Sequence, residues 1–169
     1  MYNNLELKVN TVADFIDEEN FHELQLANLL GWDFVSGQTK GAPFDFTAPD
    51  TSTIESKFDW DSKKTGNHYL EIAQTNDNKV TWVPSGFSVS SEVADFWIVI
   101  NEDWMRLFQI QKLKEFLKEN RSKLVTKETR CGVNFNVEGQ YSMGYIIPFS
   151  VLDSVCLLKH PSSLVRTNK

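Results

Sequence analysis

Between residues 12 and 30, VADFIDEENFHELQLANLL, apolar side chains recur at Phe15, Ile16, Leu24, Ala27 and the Leu29-Leu30 pair, and a glycine follows at position 31. That spacing predicts an amphipathic helix stopped by Gly31. WDFVSGQTKGA then predicts a short strand and a glycine-containing loop. From residue 43 to 58, PFDFTAPDTSTIESKF, the period drops to two, which predicts a two-stranded hairpin. HYLEIAQ is open between a strand and a helical turn, and KVTWVPSGFSVSS predicts a strand ending in a turn. VADFWIVI, 93–100, is almost continuously apolar, as suits a strand buried on both faces. DWMRLFQIQKLKEFLKEN places Trp104, Leu107, Phe108, Leu113, Phe116 and Leu117 at helical spacing, predicting a helix whose apolar stripe packs on the sheet. GVNFNVEGQYSMGYIIPF predicts two late strands around Glu138-Gly139, and SVLDSVCLLK a short helix or strand. Helix, strands, helix, strands in this order predict one α/β domain across 1–169, with a mixed central β-sheet flanked by α-helices.

The hairpin's register follows from its side chains. If Asp45 stands across from Glu55, the connection is Ala48 to Ser52, whose Pro49-Asp50 is good turn chemistry. One face then carries Asp45, Thr47, Thr53, Glu55 and Lys57, and the other Phe44, Phe46, Ile54, Ser56 and Phe58. Slipping by one residue would put Asp45 among the apolar side chains. The register that keeps the phenylalanines together therefore brings the two carboxylates together, and leaves Asp50 as a turn residue.

Composition narrows the function classes. The 169 residues are 41% hydrophobic and 24% charged, an ordinary globular balance, and no apolar run reaches the roughly 20 residues of a membrane helix. The first residues, MYNNLELKVN, carry no secretory signal pattern, so a cytoplasmic protein is expected, with no membrane partner. Cys131 and Cys156 lack a CxxC spacing and read as buried small apolar side chains. The three histidines, His22, His68 and His160, show no ligand rhythm for zinc. The net charge of −6 hides a division. Residues 1–105 hold 6 Lys+Arg against 18 Asp+Glu, whereas 106–169 hold 11 against 5, with 8 basic residues in 106–130 alone. Such asymmetry hints at nucleic-acid contact through the basic half.

Two carboxylates across a strand pair repel unless something neutralises them. A hard divalent cation does so with oxygen ligands, and the ammonium of Lys57, projecting to the same side as Glu55, is placed to orient a water or meet charge on a phosphate. The plainer alternative is an exposed polar face on which Lys57 pairs with Glu55.

An aspartate on one strand of a hairpin followed by (D/E)-x-K on the next resembles the PD-(D/E)XK nuclease superfamily, with its restriction-endonuclease-like fold. Asp45 matches the first acid, Glu55 the second and Lys57 the lysine, while the proline stands two residues ahead of the acid, at Pro43, rather than next to it. SGFSVSSEVADFWIVI is also similar to the later part of small phage and bacterial members. Asp95 within it reads as a strand-end residue fixing local hydrogen bonds. The resemblance, over residues 15 to 100, implies a Mg²⁺-dependent DNA endonuclease of phage or mobile-element type, resolvase-, homing- or restriction-like, with Mn²⁺ able to substitute. Asp45, Glu55 and the Ser56 carbonyl would hold the ion, and Lys57 would orient the attacking water. Glu23, with Glu19 as the alternative, would add an acid from the preceding helix; Glu71 and Gln74 are further candidates. Duplex or branched DNA is the expected partner, contacted by Lys40, Lys63, Lys64, Lys112, Arg121 and Lys123, and cutting both strands would call for a homodimer. The alternative is a nucleic-acid-binding module with the same fold and no catalysis.

Overall fold

The computed structural model describes residues 23, 25–28, 30–35, 44–59, 61–130 and 139–162. A helical segment, α1, includes residues 23, 25–28 and 30. It ends as the sequence predicts. Gly31 takes a left-handed φ of 68°, and the Trp32 N–H donates to the Ala27 carbonyl at 2.9 Å, the long closing bond of a Schellman end.

The described strands form two sheets. The first contains β1 (Asp33–Phe34), β2 (Phe46–Thr47), β3 (Thr53–Phe58), β6 (Phe96–Ile100), β7 (Trp104–Gln109) and β10 (Leu158–Pro161), in the order β1-β2-β3-β6-β7-β10. Among the described strands only β3 and β6 run parallel, so this sheet is mixed. The second is antiparallel throughout. It orders β5 (Val83–Pro84), β4 (Asn67–Thr75), β9 (Tyr141–Pro148) and β8 (Val125–Arg130) as β5-β4-β9-β8. One-turn helices α2 (Ser62–Thr65), α3 (Phe87–Ser90) and α5 (Phe149–Leu152) and the longer α4 (Ile110–Asn120) complete an α/β architecture.

Strand β6 shows why the first sheet lies in the middle. Its alternate residues enter different cores. Trp97 and Val99 pack with Phe108, with Leu70 and Ile147 of the second sheet, and with Ile110, Leu113 and Phe116 of α4. Ile98 and Ile100 pack with Leu26 and Ala27 of α1, Phe46, Ile54 and Met105. The continuous apolar run thus belongs to a strand covered on both faces, as its composition requires.

Several segments depart from the sequence expectation. Trp104, Leu107 and Phe108 lie on strand β7, not on the helix, which begins only at Ile110. WMRLFQ fits helical spacing by chance; hydrogen bonding to β6 on one side and β10 on the other holds it extended. The stretch 106–130 is therefore divided among β7, α4, a turn and β8 rather than forming one helix and tail. KVTWVPSGFSVSS gives only the two-residue β5 before α3, because Gly86, with φ 51°, turns the chain beside the Glu71 backbone. HYLEIAQ resolves as strand β4. Cys156 is half-buried rather than buried, its Sγ donating to the Leu158 carbonyl at 3.0 Å, and burial pushes its thiol above the ordinary value; Cys131 lies outside the described residues.

Removing the Trp97 side chain, 2% exposed and met edge-on by Phe87 at 5.3 Å, opens the larger core. Trp97→Ala should lose about 3–5 kcal/mol of stability. Trp97→Phe, which leaves no buried indole N–H to satisfy, should lose less. Urea unfolding followed by circular dichroism checks both.

Candidate active site

The hairpin adopts the expected register. Phe46 pairs with Ile54 and Thr47 with Thr53, and the Asp45 N–H donates to the Ile54 carbonyl at 2.9 Å, which places Asp45 across from Glu55. The connection is Ala48 to Ser52, closed by bonds from the Ala48 N–H to Ser52 and from the Thr51 N–H to Ala48. Asp50 is the turn residue. Its Oδ1 accepts the Ser52 N–H at 3.0 Å, and that bond lowers its pKa below the usual carboxylate value.

Side-chain placement differs from a flat hairpin in one respect. The chain bends at residues 44 and 45, so Phe44 packs into the core of Trp97 while Phe46 packs into the core beneath α1. Phe44 therefore does not share a face with Phe46, Ile54 and Phe58. The same bend turns the Asp45 carboxylate to the edge of β3. Its Oδ2 accepts the Ser56 N–H at 2.7 Å and the Ser56 hydroxyl at 2.9 Å. Alternate residues of a strand direct their amides to the same edge. Having spent its Ile54 carbonyl on the Asp45 N–H, β3 thus offers the Ser56 N–H where β2 no longer runs. The Asp45 carboxylate takes the place of the missing main-chain acceptor.

A third element reaches the same point. Glu23, on α1 and 4% exposed, accepts from the Ser56 hydroxyl through Oε1 at 2.9 Å. Ser56 is 2% exposed and is the middle residue of Glu55-Ser56-Lys57. One hydroxyl carries one proton, so it can satisfy only one of the two carboxylates at a time. Asp45 already has a second donor in the Ser56 N–H at 2.7 Å. On the opposite face of β3, Glu55 and Lys57 stand beside Trp97 and Val99 of β6, Glu55 half-buried and Lys57 exposed. The expected ligands of a hard cation, the carboxylates of Asp45 and Glu55 and the Ser56 carbonyl, stand on one stretch of hairpin, with Asp45 turned to the strand edge at Ser56 and Glu55 on the face of Trp97. That chemistry suits Mg²⁺, which takes one or two protein carboxylates and completes its shell with water and phosphate. Among the described residues no three His, Cys, Asp or Glu gather as a metal-holding group.

The remaining sequence candidates fall elsewhere. Glu71 belongs to the second sheet, where its Oε1 accepts from the Ser85 hydroxyl at 2.6 Å, and Gln74 lies on the same strand opposite Val83 and Ser142. Lys63 is held by Glu102 at 2.8 Å and Asp103 at 3.2 Å, which raise its pKa in that order, so its charge is already matched. Lys64, Lys112, Arg121 and Lys123 are exposed. Glu19 and Lys40 lie outside the described residues. Asp95 acts as a strand-end clamp, its Oδ2 accepting the Thr53 N–H at 3.0 Å and the Thr53 hydroxyl at 3.1 Å.

Sequence reasoning missed a second polar cluster. His68, 1% exposed on β4, places Nδ1 2.7 Å from Oδ2 of Asp59, just beyond β3, and the Tyr69 N–H reaches the same oxygen at 3.3 Å. Asp59 lines a groove of about 660 Å³ with Lys64, Tyr69 and Lys127. The alternation of Asn67, Tyr69 and Glu71 with His68 and Leu70 was the available signal for this strand and its polar outer face. No family model, curated protein or solved structure matches the chain.

Replacing Ser56 by alanine removes the hydroxyl that joins α1 to the hairpin and leaves the Glu23 oxygen without that donor. Stability should fall by about 1–3 kcal/mol, read as a lower urea midpoint with the slope of the transition unchanged.

Proposed function

We propose that the protein is a Mg²⁺-dependent DNA endonuclease of the PD-(D/E)XK kind, hydrolysing phosphodiester bonds. The observation that carries this reading is the meeting of three elements on the Glu55-Ser56-Lys57 strand. α1 supplies Glu23, the bend before β2 supplies Asp45, and both converge on Ser56. A purely decorative polar face would not direct a buried helix glutamate and a hairpin aspartate to the same serine.

In this reading Asp45, Glu55 and the Ser56 carbonyl hold Mg²⁺, which supplies charge neutralisation at the scissile phosphate. The exposed Lys57 donates a hydrogen bond to the attacking water or to a phosphate oxygen as negative charge grows there. Asp45 has a second task. By accepting the Ser56 N–H it fixes the backbone that carries Glu55 and Lys57, so that this stretch of main chain does not have to be ordered when DNA arrives. Glu23 holds the Ser56 hydroxyl from the other side. Lys64, Lys112, Arg121 and Lys123 remain exposed for contacts to the DNA backbone, of the sequence-independent kind.

One observation favours a second reading, a nucleic-acid-binding module without catalysis. The Asp45 carboxylate already serves the hairpin backbone, and no three-acid group forms among the described residues. The two readings separate on plasmid DNA. Nicking or linearisation of supercoiled or branched DNA in Mg²⁺ or Mn²⁺, abolished by EDTA and reduced about 10²–10³-fold in Lys57→Ala, is the result expected of the nuclease. DNA that binds but stays intact in every metal, or cleavage that EDTA and Lys57→Ala leave untouched, ends it.

A further inference from the structure

We infer that His68 and Asp59 are positioning residues for Lys57: the buried imidazole holds the Asp59 carboxylate toward the second sheet, so that it does not close on the lysine amine two residues earlier. The inference rests on the role of Lys57 proposed above, and it names what keeps that amine from being claimed by a neighbouring acid.

The strand itself creates the conflict. β3 ends at Phe58, yet the Asp59 N–H still donates to the Ile100 carbonyl at 2.8 Å, continuing the pairing of Lys57 with Val99 and of Phe58 with Ile100. Extended residues two apart project to the same side, about 6.7 Å from each other along the strand. Lys57 and Asp59 therefore share a face, and that face meets the second sheet, for Val99 lies in one core with Leu70 of β4. A lysine side chain spans such a gap, and opposite charges brought that near attract one another.

Packing alone does not hold Asp59. Its side chain is 17% exposed and lines the open groove beside α2, which leaves the carboxylate room to turn. What fixes it is polar. Oδ2 lies 2.7 Å from His68 Nδ1 and accepts the Tyr69 N–H at 3.3 Å. His68 has no such room. It is 1% exposed, and its ring lies within 17° of parallel to Phe149 of α5, with centroids 6.1 Å apart. Its Nε2 is buried with no hydrogen-bond partner. An unmatched buried nitrogen costs stability, which leucine or phenylalanine at this position would avoid. Filling the core therefore does not account for a histidine here, whereas the contact with Asp59 does. One carboxylate has two donors within reach, the imidazole of β4 and the amine of β3, and the fold gives it to the imidazole.

The test removes first the donor and then the acid. His68→Phe keeps a ring on Phe149 and takes away the nitrogens, and His68→Leu serves if the larger ring prevents folding. Either should release Asp59 to Lys57. Because a surface ion pair shifts an equilibrium about two- to fivefold, acylation of Lys57 by a limiting amine reagent, read by peptide mass spectrometry, should slow by that factor. Adding Asp59→Asn to the same variant removes the acid and should restore the wild-type rate. His68→Asn, whose amide nitrogen takes the position of Nδ1, should label like wild type. The inference is overturned if Lys57 labels alike in wild type and in the apolar variant. It is overturned equally if Asp59→Asn brings no recovery, the result of a tie between the sheets with no bearing on Lys57. Plasmid cleavage in Mg²⁺ forms a separate arm, in which kcat should fall with KM unchanged in the apolar variant and recover in the double variant. Plasmid that stays intact while labelling slows and recovers would end the nuclease reading and leave the positioning of Lys57 standing. Cleavage beside labelling that does not respond would do the reverse.

Discussion

The parallel pairing of β3 with β6 is the contact on which the rest of the molecule depends. Five residue pairs, from Ile54 with Phe96 to Phe58 with Ile100, join the strand that carries Glu55 and Lys57 to β6, which is buried along most of its length. A parallel pair is not closed by a turn, so its ends need other fastenings. Asp95 supplies one, binding Thr53 through its carboxylate while its own N–H donates to the Thr53 carbonyl at 2.9 Å. At the far end the Asp59 N–H donates to the Ile100 carbonyl at 2.8 Å, and the Asp59 carboxylate then turns to His68 and Tyr69 of the other sheet. The first sheet, the second sheet and the candidate site are thus tied through the two ends of one strand pair.

That dependence explains why polar groups are concentrated beside so apolar a sheet. Burying β6 on both sides leaves β3 as the position where the sheet can carry chemistry. Its inward residues meet α1 on one side and the Trp97 core on the other, yet β2 covers only its first two residues. Past Ile54 the Ser56 N–H needs an acceptor, and the Asp45 carboxylate provides it. In the proposed reading Asp45 consequently holds the backbone of β3 as well as offering oxygen to a cation. Loss of Asp45 should disturb both roles at once, whereas Lys57, exposed at the far end of the strand, is the cleaner probe of chemistry.

Much of this was legible before any coordinates. The hairpin register, its five-residue connection and the role of Asp50 followed from requiring Phe44, Phe46, Ile54 and Phe58 to share a buried face, a requirement that Phe44 does not meet. The glycine stop at residue 31 and the doubly buried β6 followed from pattern alone. What escaped was decided by partners far along the chain. WMRLFQ satisfies both a helical and an extended spacing, and the choice was made by β6 and β10, the latter some fifty residues away. Phe44 went to the opposite core because the chain bends at 44 and 45, which a strict period of two cannot express. The second sheet was hidden for a similar reason. β4 pairs mainly with β9, about seventy residues later, and slips register between Glu71 and Ala73, breaking the alternation that would have announced it.

The charge division was read correctly as a count and incompletely as a surface. Eight basic residues in 106–130 suggest a continuous band for a polyanion, but folding separates them. Arg106 turns inward, 5% exposed, with Nε 2.8 Å from Asp153 and its guanidinium over the Phe149 ring at 3.9 Å. Lys114 reaches back to Glu92 at 2.7 Å, and the bond lowers the Glu92 pKa. Lys127 crosses to the outer face of the second sheet, while Lys112, Lys118, Arg121 and Lys123 stay exposed around α4 and the turn that follows it. A charge committed to a carboxylate has little left to offer a phosphate, and charges more than about a Debye length apart hardly reinforce one another. The basic half therefore acts as separate small groups, and a nucleic-acid partner would be held by several weak contacts on different elements rather than by one strong stripe.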